Sequence, residues 1–127
     1  MNLERVVFGF FIILALALNL GFVVGGIDNP QHHNPWVLFA ALIVGLITSG
    51  LKLGDRSQLG AVVLAASLVA NLLLMIAVSI WAISEGGMEQ TVRPGLMVSV
   101  VSLAYGALAA NIVSVLVLVS DTLMSRR

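Results

Sequence analysis

The stretch LGAVVLAASLVANLLLMIAVSIWAI, residues 59–83, runs for 25 residues without a charged side chain. At about 1.5 Å per residue, an α-helix of this length crosses the hydrocarbon core of a bilayer, which is about 30 Å thick. The chain has three more apolar runs, at residues 6–26, 36–51 and 95–119. The sequence therefore predicts four transmembrane helices in a single domain over residues 1–127.

The second run is the shortest of the four, and its ends require separate attention. Its 16 residues rise by only about 24 Å, which is less than the thickness of the bilayer core. We expect this span either to extend over residues 36–53, with Lys52 snorkelling to the interface, or to lie in a locally thin bilayer. Asn34 and Pro35 precede it, and these residue types are typical of an N-cap and of the first helical position.

The composition indicates that the chain is suited to lipid and not to water. Hydrophobic residues make up 60% of the 127 residues and charged residues 9%, and the mean hydropathy is +1.10. A soluble domain of this size cannot bury so much apolar surface, so the lipid bilayer is the expected partner. The formal net charge of zero excludes a basic surface for nucleic acid. The absence of cysteine excludes disulfides, thiol nucleophiles and cysteine-bound metals, and we expect no cofactor.

The distribution of lysine and arginine predicts the orientation of the four spans. The N-terminus, the loop at 52–58 and the C-terminus share one side, and they carry every basic residue except Arg93. Under the positive-inside rule, both termini are therefore cytoplasmic. The short 52–58 loop makes its two flanking helices antiparallel, so we expect an all-α antiparallel bundle. Trp36 and Trp81 are expected in the aromatic belt of the outer interface.

Three asparagines, Asn19, Asn71 and Asn111, are the candidate polar groups within the membrane, because no ionisable residue lies deep in any run. An amide without a partner in hydrocarbon costs several kcal/mol, so each amide should face protein or water. We favour hydrogen bonds between helices, and the alternative is the lining of a hydrated ion pathway. Counted from the ends of their runs, Asn19 and Asn111 are not expected to share one layer.

Small residues recur at every fourth position on three of the runs. Because lipid provides no hydrophobic drive between helices, such stripes favour association by letting two backbones approach closely. We expect tight packing inside the bundle and either a homo-oligomer or docking to a larger membrane protein. The alternative is that alanine and glycine are simply common in membrane helices. The stripe residues are Gly21 and Gly25, then Ala41, Gly45 and Ser49, and finally Ser102, Gly106, Ala110 and Ser114.

The outer loop GGIDNPQHHNPW, residues 25–36, contains both histidines of the chain. Asp28, His32 and His33 form a candidate metal site, because carboxylates and imidazoles bind transition metals. Their spacing is not a zinc signature, and Pro30 prevents a helical pairing of Asp28 with His32. A proton-sensing role for the histidines is a second possibility. We favour a rigid turn at Asp28 that leads to the next helix.

The strings FGFFIILALALNLGF, IDNPQHHN and LKLGDRSQLGAVVLAASLVANL resemble an uncharacterised family of small bacterial membrane proteins with four spans. The resemblance covers roughly residues 7–83, and the polar loop strings are its most specific part. It implies a location in the bacterial inner membrane. It implies no function and no site residue.

Two functions fit these features, and we favour the first over the second. The first is a homo-oligomer that forms or contributes to an ion pathway, because small-residue stripes and buried amides occur without a catalytic cluster. The second is a structural or regulatory subunit of a larger transport or respiratory complex. An enzyme is not expected, since no serine has a plausible base at its depth in the membrane.

Overall fold

The computed structural model of the protein describes residues 3–24, 34–53, 58–83 and 94–125, and these residues are all-α. All four described helices are long and apolar enough to cross a membrane. The helices are α1 (Leu3–Val23), α2 (Pro35–Lys52), α3 (Gln58–Ile83) and α4 (Pro94–Ser125).

Local sequence signals position the beginning of α2. Asn34 has an extended backbone, with φ −97° and ψ 121°, and its side-chain oxygen accepts a hydrogen bond of 2.8 Å from the Trp36 N–H. Pro35 takes the first helical position, where its missing N–H leaves no unmet bond. The predicted N-cap is therefore confirmed. At the other end, Lys52 is the last helical residue and Leu53 lies in a turn.

The four helices close a ring in chain order. α1 packs against α2, α2 against α3, and α3 against α4, and α1 also packs against α4. The most extensive of these contacts joins α3 and α4. Gly106 contributes to it, because a Cβ at Gly106 would lie 3.0 Å from Cδ1 of Leu73.

Two apolar clusters fill the interior of the ring. The smaller one contains Phe8, Ile12 and Val63, and it lies towards the beginnings of α1 and α3. The larger one spans all four helices and includes Phe22 and Trp81, whose ring centroids are 6.1 Å apart. Its buried members are Phe22, Val23, Leu38, Ala41, Leu42, Ala70, Leu74, Ala77, Trp81, Met97, Val100, Val101, Ala104, Ala107 and Ala110.

The two tryptophans occupy different environments. Trp36 is 57% exposed at the start of α2, as expected for a residue of an aromatic belt. Trp81 is only 2% exposed, because its ring packs against Phe22 inside the larger cluster. Trp81 therefore does not present its ring on the surface of the bundle as a residue of an aromatic belt would, and its position near the outer interface stays a prediction.

The small-residue stripes divide between the inside and the outside of the bundle. On α2, Ala41, Gly45 and Ser49 are all buried. On α4, Ser114 is buried whereas Ser102 is exposed. A spacing of four residues turns by about 40° more than a full circle at each step, so a long stripe winds around its helix. The remaining stripe residues are Gly106 (half-buried), Ala110 (buried), Gly21 (exposed) and Gly25, which lies outside the described residues.

Candidate functional site: a buried polar layer

Among the residues that the structure describes, seven polar side chains lie inside the bundle between the two apolar clusters. Each is at most 7% exposed, and together they come from all four helices. On α1, for example, Asn19 lies between Ile12 of the smaller cluster and Phe22 of the larger one. We call this set the polar layer. Its members are Asn19, Thr48, Ser49, Ser67, Asn71, Asn111 and Ser114.

Asn71 joins α3 to α2 within this layer. Its Nδ2 donates hydrogen bonds to the Ser49 Oγ at 2.8 Å and to the Gly45 carbonyl oxygen at 3.2 Å. Because the Gly45 acceptor belongs to the backbone, this bond fixes the axial position of the α2 backbone relative to α3. Both bonds are buried, where a lost partner would leave a polar group in an apolar environment.

Gly45 provides the space that Asn71 needs. A Cβ at Gly45 would overlap the Asn71 Oδ1 and would lie 3.3 Å from its Cγ. The requirement for glycine here is therefore steric, because the amide lies directly against the α2 backbone. Two residues of the small-residue stripe on α2, Gly45 and Ser49, thus form a single contact with the Asn71 amide of α3.

Asn19 joins α1 to α4 in a similar way. Its amide nitrogen donates to the Ala104 carbonyl oxygen at 2.9 Å, and its oxygen accepts from the Leu108 N–H at 3.0 Å and from the Asn111 Nδ2 at 3.0 Å. This amide orientation follows from the neighbours, because the reverse one would set oxygen against oxygen. Ala104 and Leu108 are four residues apart, so the amide of Asn19 bridges the carbonyl and N–H of a single turn of α4.

The expectation that Asn19 and Asn111 lie in different layers is wrong, because they share a hydrogen bond. That expectation assumed that the helices begin and end in common planes. The hydroxyl of Tyr105 donates to the carbonyl oxygen of Val23, the last residue of α1, at 3.4 Å. Tyr105 lies about three turns inside α4. α1 is therefore offset along α4, and the offset brings the two asparagines together.

Two oxygens of the polar layer have no hydrogen-bond partner among the described residues. They are the Oδ1 of Asn71 and the Oγ of Ser114. The hydroxyl of Thr48, by contrast, donates to the Val44 carbonyl oxygen of its own helix at 2.8 Å. The layer thus keeps limited hydrogen-bonding capacity after the contacts between helices are made.

The polar layer includes residues that the sequence analysis did not single out. Thr48 and Ser67 are 1% and 4% exposed. Ser67 lies one helical turn from Asn71, so the i, i+4 spacing of two polar residues in an apolar helix was the available signal. For Thr48 the signal was its position next to Ser49 of the α2 stripe.

The candidate metal residues Asp28, His32 and His33 lie outside the described residues, and the metal proposal for them stays a prediction. Within residues 3–24, 34–53, 58–83 and 94–125, no group of three or more histidine, aspartate or glutamate side chains could hold a metal ion. The polar layer itself offers only neutral hydroxyls and amides.

Comparison with known families places the chain in a group without an assigned activity. A family of unknown function, DUF6394, matches residues 32–122, which include all of α2 and α3 and most of α4. The chain belongs to this family. The predicted membership of an uncharacterised family is therefore confirmed. No curated protein and no solved structure matches the chain.

The contact between Gly45 and Asn71 predicts a specific sensitivity to one methyl group. We expect Gly45→Ala to lower the free energy of unfolding by about 1–3 kcal/mol, because the new Cβ forces Asn71 out of place. Gly50→Ala is the matched control on the same helix, where a Cβ would meet no atom within 4 Å. It should be neutral or slightly stabilising. Reversible unfolding in mixed micelles measures both, and equal effects would contradict the close contact.

The bond between Asn19 and Asn111 predicts energetic coupling across α1 and α4. In a double-mutant cycle with Asn19→Leu and Asn111→Leu, we expect a coupling free energy of about 0.6–1.7 kcal/mol. Asn19→Leu combined with Asn71→Leu is the control, because these two amides share no hydrogen-bond partner. That pair should be additive within about 0.5 kcal/mol. Additivity in both cycles would refute the α1–α4 bond.

Proposed function

We propose that the protein is a multi-pass component of the bacterial inner membrane, with an antiparallel bundle and both termini in the cytoplasm. Four apolar helices support the multi-pass assignment. The excess of lysine and arginine at the termini and the 52–58 loop supports the orientation. The order of contacts supports the antiparallel arrangement, because Phe8 lies in the cluster packed by Val117 whereas Val23 bonds to Tyr105.

The orientation leads to an accessibility test in intact cells. The chain has no cysteine, so a single cysteine can be introduced without background labelling. A membrane-impermeant maleimide should leave Arg127→Cys unlabelled until the cells are opened, whereas Glu89→Cys should react at once. Immediate labelling of Arg127→Cys would show that the C-terminus lies outside the cell and that the proposed orientation is wrong.

Within that membrane, we propose that the chain is a structural or regulatory subunit of a larger transport or respiratory complex. The observation that carries this proposal is the use of the intramembrane amides. Asn19 and Asn71 bond to backbone groups of neighbouring helices. Apolar side chains fill the interior on both sides of them. An interior built in this way favours a fixed helical bundle over a hydrated passage through one chain. We propose no enzymatic activity.

A second candidate is a homo-oligomer that contributes to an ion pathway. It is favoured by the small residues that remain on the outside, Gly21 and Ser102, where the backbone of another copy can approach closely. The Oδ1 of Asn71 and the Oγ of Ser114 add polar atoms without a described partner. Under this second candidate function, the ion pathway lies between copies of the chain or passes through a rearranged polar layer.

Purification from native membranes separates the two candidates. We expect the tagged protein to copurify with a larger membrane protein at fixed stoichiometry in a mild detergent. The opposite outcome is an assembly of identical copies that conducts ions when reconstituted in liposomes, and it would favour the second candidate.

Ser102→Phe places a large side chain on the exposed face of α4 and tests whether this face forms the contact in either assembly. Ser79→Phe is its control, because Ser79 is exposed on α3 and bonds its own helix through the Met75 carbonyl.

A further inference from the structure

Ser114 carries the least exposed hydroxyl of the polar layer. Its side chain is 0% exposed, and its Oγ has no hydrogen-bond partner among the described residues. The hydroxyls of Thr48, Ser79 and Thr122 instead donate to the carbonyl oxygen four residues earlier in their own helices. A serine hydroxyl is both a donor and an acceptor, and leaving it dry and unpaired inside a protein costs stability. The Oγ of Ser114 therefore points to a ligand inside the bundle.

A second buried hydroxyl, that of Ser67 on α3, lies at a similar height. Ser114 is three residues from Val117, which packs against the smaller apolar cluster. Ser67 is four residues from Val63, a member of that cluster. These spacings correspond to about 4.5 and 6 Å along a helix. In the other direction both helices continue into the larger cluster, and α3 and α4 make the most extensive helix contact of the bundle. The two serines therefore share the gap between the clusters.

Asn111 adds a third polar group at this place. It lies three residues before Ser114 on α4, and residues with this spacing are neighbours on a helix surface. Its Nδ2 donates to Asn19, and its side-chain oxygen is an acceptor. The unpartnered Oδ1 of Asn71, by contrast, lies against Gly45 on the α2 side and does not belong to this group. The site thus consists of two hydroxyls and one amide, all of them neutral.

The chemistry of these groups selects water over a cation. A buried water makes about three hydrogen bonds to polar groups that are otherwise unpaired. It can donate to an oxygen and accept from a hydroxyl, whereas a cation cannot accept the hydroxyl proton. A cation held by neutral groups alone would also remain an uncompensated charge within the membrane, which is costly.

We propose that the polar layer binds a water molecule between Ser67, Asn111 and Ser114. The apolar clusters on both sides close this site off from the two ends of the bundle. Asn19 links α1 to α4 and Asn71 links α3 to α2. The water adds a polar connection between α3 and α4, and it completes the hydrogen bonding of Ser114.

This inference concerns the interior of one chain, so it does not rest on either candidate function. The test uses the purified full-length chain alone, and its result is independent of any copurifying partner. A continuous hydrated pathway would bring water to the apolar clusters as well as to the polar layer. The position of the water therefore distinguishes a closed site from a pathway.

The experiment detects water next to individual alanine methyl groups by nuclear magnetic resonance. The chain is deuterated, labelled at its alanine methyls and reconstituted in phospholipid bicelles. Ala66 precedes Ser67 and Ala110 precedes Asn111, so we expect their methyls to show cross-peaks to water. The methyls of Ala77 and Ala104 are the controls, because both residues are 0% exposed in the larger cluster. They should show none.

Ser114→Ala removes one partner of the water. It should at least halve the water cross-peaks of the two reporter methyls and lower the unfolding midpoint, because the other groups of the site lose a hydrogen-bonded ligand. Ser79→Ala is the matched control, since the Ser79 hydroxyl is exposed and bonds its own helix. This variant should leave the cross-peaks and the midpoint unchanged. An equal or higher midpoint for Ser114→Ala would mean that the hydroxyl is dry, and it would overturn the proposal.

The remaining outcomes identify what occupies the polar layer instead. No water cross-peak at Ala66 and Ala110 in the unmodified protein would refute the water site. Cross-peaks that extend to Ala77 and Ala104 would refute its closure and would support the ion pathway. Replacing sodium by choline at constant ionic strength should leave the midpoint unchanged. A midpoint that falls on this replacement would assign the site to a cation and contradict the choice of water.

Discussion

Helices in lipid gain little from hydrophobic burial against one another, because the acyl chains are as apolar as leucine. Their arrangement depends instead on close packing and on the satisfaction of the few polar groups that the membrane cannot solvate. In this protein that constraint acts at two asparagines, Asn19 and Asn71. Each donates to a backbone carbonyl of a neighbouring helix, and each bond is possible only at one relative height of the two helices. The register of the bundle therefore depends on these amides.

The two amide contacts meet the constraint differently. Asn71 approaches α2 at a glycine, so its geometry depends on the absence of a side chain at Gly45. Asn19 instead bridges the carbonyl of Ala104 and the N–H of Leu108 and receives a further bond from Asn111. One contact connects consecutive helices and the other closes the ring between the first and the last. Together they explain how a core made mostly of interchangeable aliphatic side chains specifies one arrangement.

The same features bear on function. The polar layer connects the helices, so few of its polar atoms remain for binding a solute. This supports the proposed role as a subunit. Among the described residues, the exposed surface of the bundle carries two of the small stripe residues, Gly21 and Ser102. Under the proposed function, these exposed positions are where another membrane protein would approach the bundle.

Composition and run length alone were sufficient to predict an all-α chain with four apolar helices, because a helix that crosses a bilayer needs about 20 apolar residues wherever it packs. The N-cap at Asn34 was equally predictable, since its hydrogen bond to Trp36 is local. The pairing of Asn19 with Asn111, the burial of Trp81 and the split of the α4 stripe were not. Each depends on the axial offset and rotation of one helix against another, and these are set by contacts between residues far apart in the chain, which only the tertiary structure decides.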